Sequence, residues 1–94
     1  MTLRGIIWLR QIVDKLAIKH HVETHEVDEV LAGHPKVRFL ERGQHKDEDV
    51  YVALGKSRAG RYLTVLFIFK KTREALILSA RDMAAKERKL YAKK

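Results

Sequence analysis

The sequence predicts an α+β domain. It should hold an antiparallel sheet of about four strands, with a candidate fifth at the N-terminus, two N-terminal helices and one C-terminal helix. Three observations predict it. The apolar period is helical before Gly33 and alternating after Pro35. Polar, glycine-containing or charged breaks divide residues 36–78 into apolar runs of strand length. Helical spacing then returns after Ser79. With 94 residues, 46% of them hydrophobic, the chain carries enough apolar material for one core, so residues 1–94 are read as a single domain.

In chain order, Gly5 to Trp8 is short, branched and aromatic, suited to a strand. A helix should follow from about Leu9 to Lys19, burying Ile12, Val13, Leu16 and Ala17. Thr24 is a plausible N-cap for a second helix from about His25 to Leu31 or Ala32, stopped by Gly33 and Pro35. Its apolar face is Val27, Val30 and Leu31, leaving Glu26, Asp28 and Glu29 toward water. Strands are expected around Val37 to Leu40, at Val50 to Leu54, at Tyr62 to Phe69 and at Ala75 to Leu78, the third being apolar enough to be central. Glu41 to Glu48, Gly55 to Gly60 and Lys70 to Glu74 are the turns. Ser79 and Asp82 have capping-box spacing, which predicts a final helix running to about Ala92 with Ala80, Met83, Ala84, Glu87, Leu90 and Tyr91 on one face and Lys86, Lys89 and Lys93 in solvent. Hairpin-linked strands with helices on one face complete the expected layers.

The chain has no cysteine, which excludes disulfides, thiolate metal sites and a cysteine nucleophile, and points to the cytoplasm. The longest apolar run, Leu63 to Phe69, is far short of the roughly 20 residues that span a bilayer, so no membrane association is expected. Net charge is +8, unevenly placed: residues 1–50 carry 8 Lys and Arg against 9 Asp and Glu, residues 51–94 carry 12 against 3. A basic second half attracts polyanions through counterion release, which makes RNA the expected partner. A solvated face that only confers solubility is the competing reading.

Gly55, Lys56 and Ser57 imitate the end of a phosphate-cradling loop, but Val50 stands where its first glycine belongs and no helix follows, so a hairpin turn is expected. His21 and His25 have i, i+4 spacing, yet a new helix should begin between them and no carboxylate cluster lies nearby, so no metal site is expected. The polar set that carries chemistry is Lys19, His20, Arg61, Arg81 and Arg88. Arg61 opens the central strand and Arg81 sits near the last strand's end, positions from which two guanidinium groups can clamp a phosphate and stabilise its developing charge. Alternatively Arg81 pairs with Asp82 or Glu87, or caps a strand carbonyl. Glu87 falls on the apolar face of the last helix, where a carboxylate needs a cation or donor; it serves either as a general base or as the anchor of an arginine.

These residues, in this order, resemble the BrnT-type toxins of bacterial toxin–antitoxin pairs. The resemblance runs through Trp8, Lys15, the stretch Lys19-His20-His21-Val22, the run Val50-Tyr51-Val52-Ala53-Leu54-Gly55 and Gly60-Arg61-Tyr62-Leu63 leading into Val65. Its specific part is Leu78-Ser79-Ala80-Arg81-Asp82-Met83 followed by Glu87-Arg88 and Tyr91. Two positions depart from the family pattern: His21 replaces a glycine, and Val50 replaces an arginine. The resemblance implies a RelE-like fold and a metal-independent endoribonuclease, needing no cofactor, that inhibits translation by cleaving RNA. It also implies a ribbon-helix-helix antitoxin as protein partner. Arg61, Arg81, His20 and Glu87 would then be the catalytic candidates and Lys19, Arg61, Arg81 and Arg88 the RNA contacts. With an arginine absent at position 50, a BrnT-like domain that binds RNA or a partner protein without cutting is the alternative.

Overall fold

A computed structural model describes residues 2–45 and 48–93; two residues of the expected 41–48 turn lie outside them. The elements are β1 (Gly5–Ile7), α1 (Arg10–Lys15), α2 (Thr24–Ala32), β2 (Lys36–Glu41), β3 (Val50–Lys56), β4 (Tyr62–Phe69), β5 (Glu74–Asp82) and α3 (Ala85–Ala92), with a π-helical turn at Leu16–His20 extending α1. The sheet has five strands in the order β1-β5-β4-β3-β2. The successive pairs from β2 to β5 are antiparallel, as expected, but β1 lies parallel to β5 through Gly5–Glu74, Ile6–Ala75 and Ile7–Leu76, so the sheet is mixed.

Alternation gives the sheet two different faces. One carries Ala53, Leu63, Val65, Phe67, Ala75, Ile77 and Ala80, all buried against Leu16, Val22, Val27 and Val30 of the N-terminal helices. Of the stripe expected on the first helix, only Leu16 is buried; Ile12 and Val13 are half-buried and Ala17 is exposed. The π-helical turn starts at Leu16, and its wider step takes Ala17 off the position that a continued α-helix would give it. His21 then ends the helix in the left-handed region at φ 53°. The second helix is capped at Glu23, one residue earlier than expected, and the Glu23 N–H donates to Glu26 Oε1 at 3.1 Å. It packs so closely on β3 that a Cβ on Gly55 would stand 2.9 Å from Val30 Cγ1. Gly55 and Lys56 therefore belong to the strand, and the hairpin turn begins at Ser57 and closes through Gly60 at φ 90°.

The largest difference from expectation is at the C-terminal end. Ser79 and Asp82 cap no helix: they lie in β5, which continues to Asp82 and pairs with β4 through Leu66–Ser79, Val65–Ala80, Thr64–Arg81 and Leu63–Asp82. A bulge at Leu78 keeps the strand in register past the expected stop. The helix starts only at Ala85, with the Ala84 N–H donating to Glu87 Oε1 at 2.7 Å. It also lies on the other face of the sheet from α1 and α2, crossing the strands from β5 to β2. Glu87 meets Arg81 of β5, Arg88 and Tyr91 meet Tyr62 of β4, and the Leu90 and Lys93 carbonyls accept from Lys36 Nζ of β2.

Candidate nucleic-acid interface

The charged residues singled out by the sequence gather at one end of the sheet, where β4 begins and β5 ends. Because β1 pairs only with Glu74 to Leu76, no other strand covers the outer edge of β5 beyond Leu76 among the described residues. Consecutive residues there point to opposite faces, so Arg81 and Asp82 each organise a separate cluster on either side of a free edge.

On the side of the N-terminal helices, Arg61 is fully engaged. Its Nε–H donates to Asp82 Oδ1 at 2.7 Å, Nη1 donates to the His21 carbonyl at 2.7 Å and to Glu26 at 3.2 Å, and Nη2 donates to the His20 carbonyl at 3.0 Å and to Asp82 Oδ2 at 3.2 Å. All five guanidinium donors are thereby used. Glu26 is accordingly not turned to water as its helical position suggested: its side chain is only 15% exposed. Glu29 likewise accepts from the Arg58 N–H, while Asp28 is exposed. The hydrogen bond from Arg61 holds the Asp82 carboxyl below its ordinary pKa against the opposing effect of partial burial, with the Arg61 and His20 charges adding to it. Lys19 is exposed and His20 half-buried on the π-helical turn that Arg61 pins by its carbonyls.

On the α3 side, Arg81 forms a bidentate pair with Glu87, Nη1 to Oε1 at 2.6 Å and Nη2 to Oε2 at 2.8 Å, and Nη1 also donates to the Asp82 carbonyl. Glu87 is pulled down to about 2, first by the Arg81 hydrogen bond, opposed by burial, then aided by the Ala84 N–H, by Thr64 and by the Arg81 charge. It is a carboxylate at every physiological pH and a weak proton acceptor. Thr64 Oγ1 beneath the pair is buried, close enough to favour the Glu87 anion but outside hydrogen-bond geometry, and has no partner among the described residues. Arg81 differs from Arg61 in one respect that matters chemically: its Nε–H and one Nη2 hydrogen, which share one edge of the guanidinium, have no partner among the described residues. Arg88 lies over the Tyr62 ring at 4.1 Å, with Lys56 on that ring at 5.5 Å and Tyr91 edge-on at 6.0 Å.

The structure therefore brings His20, Lys19 and Arg61 together on one side of the β5 edge and Arg81, Glu87 and Arg88 on the other. Reasoning from the sequence missed Asp82 and Glu26, the two carboxylates that saturate Arg61, and Tyr62, the platform under Arg88. The adjacency of Asp82 to Arg81 and of Tyr62 to Arg61 was the available signal.

No curated protein matches the chain. Its fold is similar to that of the Brucella abortus ribonuclease toxin BrnT, known from a 1.1 Å crystal structure, with a TM-score of 0.63 and 19% identity over 88% of this chain and 99% of that one. The family model described as "Ribonuclease toxin, BrnT, of type II toxin-antitoxin system" matches residues 10–87, from α1 through the Arg81–Glu87 pair. The chain belongs to the BrnT family of ribonuclease toxins of type II toxin–antitoxin systems.

Proposed function

We propose that this protein is a metal-independent endoribonuclease of the bacterial cytoplasm that inhibits translation by cutting RNA and is silenced by a protein antitoxin of ribbon-helix-helix type. The observation that carries the reading is the open edge of Arg81. Glu87 fixes the guanidinium from one side, leaving a fork of two N–H groups, the geometry that binds two phosphate oxygens at once. A strand of RNA crossing the free edge of β5 would meet this fork on one side and Lys19 and His20 on the other. Arg88, held over Tyr62, adds a cation on the α3 side.

Cleavage then follows from proton transfer and charge stabilisation. A base takes the proton of a ribose 2′-hydroxyl, the oxygen attacks the adjacent phosphorus, and the bond from phosphorus to the 5′-oxygen breaks. The 5′-oxygen receives a proton, leaving a cyclic phosphate and a free 5′-hydroxyl. Arg81 stabilises the charge that builds on the non-bridging oxygens. His20, on the other side of the β5 edge, is the candidate for proton transfer. Glu87, already committed to Arg81, acts by positioning it, and Arg61 acts by pinning the turn that carries Lys19 and His20. Incubation of purified protein with RNA in chelator tests the reading: cleavage lost in Arg81→Ala supports it, and intact RNA across varied sequences refutes it.

One observation favours a second reading. Arg61 has no donor left for a phosphate, so a single guanidinium fork would carry the charge stabilisation. A BrnT-like domain that binds RNA or a partner without cutting predicts steeply salt-dependent RNA binding and no cleavage at any pH.

A further inference from the structure

The sheet face that carries α3 is only half covered. Counting across the strands, Lys56–Tyr62 and Leu54–Thr64–Arg81 are the rows beneath α3, and there Leu54 and Thr64 are buried. The next two rows, Val52–Leu66, ending in Ser79 of β5, and Val50–Ile68–Leu76–Ile7, have no element over them among the described residues. All six of these aliphatic side chains are half-buried, and none belongs to the core on the opposite face, whose sheet residues are almost completely shielded from solvent. A contiguous aliphatic floor of this kind marks an interaction site.

Its dimensions specify the shape of what covers it. The floor spans four neighbouring strands, about 14 Å, in its outer row and two strands in the row next to α3, the rows lying about 7 Å apart along the strands. Helices of one layer pack about 8–10 Å apart. A single helix laid beside α3, itself crossing the strands, would fill the open rows, completing a two-helix layer of which this chain supplies one member. The borders specify its charge. On the side toward α3 they are basic: Arg38 and Lys36 lie on β2, Arg81 on β5, and α3 with its C-cap contributes Lys86, Lys89 and Lys93 while its one carboxylate, Glu87, is bound to Arg81; the far side carries Glu41, paired with Val50, and Glu74 of β5. A 410 Å³ groove between Leu90 of α3 and Arg38 opens onto the same side. Leu90, 39% exposed, is the apolar wall that α3 offers.

We infer that this floor is the docking site of an amphipathic helix from the protein antitoxin, apolar side down and acidic flank toward α3, which lies beside Arg81 and blocks RNA from its fork. The inference rests on the toxin reading above, since that supplies the partner. RNA is a poor occupant, because the floor presents no aromatic faces for bases to stack on. A second copy that brings its own α3 beside this one is disfavoured by like charge, as it would bring two borders of lysine and arginine together.

The test is co-expression with the product of the adjacent gene and titration of the purified toxin with it, comparing wild type, Leu66→Lys, Arg38→Glu and Lys89→Glu. Thermal melts of each variant confirm folding, and Leu66→Ser replaces Leu66→Lys should the latter not fold. The expected result is at least 100-fold weaker association for Leu66→Lys, and about tenfold for each border reversal, since both act on a helix-in-groove contact with charged rims. RNA cleavage by the free variants Leu66→Lys and Lys89→Glu should stay within about threefold of wild type, because neither touches the phosphate fork. Unchanged association in a folded Leu66→Lys, absence of any complex, loss of RNA binding in that variant, or self-association of the wild type that Leu66→Lys abolishes would each overturn the inference. Partner binding through the floor by a protein that cuts no RNA overturns the ribonuclease reading and leaves this one standing.

Discussion

Arg81 of β5 and Glu87 of α3 close the gap between sheet and helix with two parallel hydrogen bonds of 2.6 and 2.8 Å. The same carboxylate also accepts from the Ala84 N–H at the start of α3, so one side chain orients the guanidinium and fixes the helix entry. Removing the cation should therefore affect chemistry, while neutralising the anion should affect placement. Arg81→Ala is expected to lower RNA cleavage by about 100-fold or more, and Arg81→Lys should not restore it, because an ammonium offers no planar fork. Glu87→Gln should lower kcat by about 10- to 100-fold with RNA affinity nearly kept, through loss of orientation. Single-turnover cleavage rates and filter binding separate these outcomes.

The pair also sets an acid limit on stability. Glu87 has its pKa depressed to about 2 from an ordinary carboxylate value, so the folded state binds its proton less readily than the unfolded state does. The stabilisation is fully present above the unfolded value and declines as pH falls from about 4.5 toward 2. Asp82 and Glu48, both lowered by their partners Arg61 and Lys70, titrate in the same direction. Urea midpoints should accordingly hold steady from pH 7 to about pH 5 and fall below that, with a shallower fall in Glu87→Gln. An equal fall in that variant would show that the pair contributes nothing to the acid limit.

Arg61 belongs to a different kind of arrangement, in which stability and site geometry depend on one side chain. It joins β4 to β5 through Asp82, to α2 through Glu26 and to the preceding turn through the His20 and His21 carbonyls. Arg61→Ala leaves the largely buried Glu26 carboxylate without its counter-charge, with only the Glu23 N–H as donor, and removes the side-chain donor from the His20 and His21 carbonyls. Because Asp82 is itself 67% exposed, the expected loss is about 2 kcal/mol rather than the full value for a buried pair. Glu26→Lys should be comparably destabilising, whereas Asp28→Lys, at an exposed position of the same helix, should be within about 0.5 kcal/mol of wild type. Equilibrium urea unfolding of the three variants distinguishes them.

The contrast between Glu26 and Asp28 also shows what the sequence conveyed. Helical and alternating periods placed α2 and the strands from β2 to β4, because those patterns are written in consecutive residues, although at the sheet edge β2 leaves Phe39 of its apolar face exposed. Glu26 lies off the apolar face by helical position, and its burial depends on an arginine 35 residues away, which no local pattern encodes. Ser79 to Asp82 carries a helical spacing and a capping pair, but pairing with Leu63 to Leu66 outweighs that preference and keeps the segment extended. The parallel partner of β1 was illegible for a related reason: three residues bury little and carry no turn to dictate direction. Lys19, His20, Arg81, Glu87 and Arg88 were identifiable as residue types near element ends; that the strand edge sorts them onto two sides required the alternation of β5.

Val50, the position at which this chain departs from the arginine of the family pattern, lies on the open floor in the row of Ile68 and Leu76. The row of Arg81 is four residues away along β3, about 13 Å, and β5 lies two strands, about 10 Å, from β3, while Glu87 holds the Arg81 guanidinium toward α3, so an arginine at position 50 starts far from the fork. Val50→Arg is therefore expected to leave cleavage by the free protein within about threefold of wild type, since it adds charge away from the fork. It should instead weaken association with the antitoxin by about tenfold, because it places a cation among aliphatic side chains that the partner helix would desolvate. Parallel cleavage assays and partner titrations give both values. A large gain in cleavage would place a phosphate of the substrate on the floor itself, and with it the path of the RNA across the sheet rather than over the edge of β5.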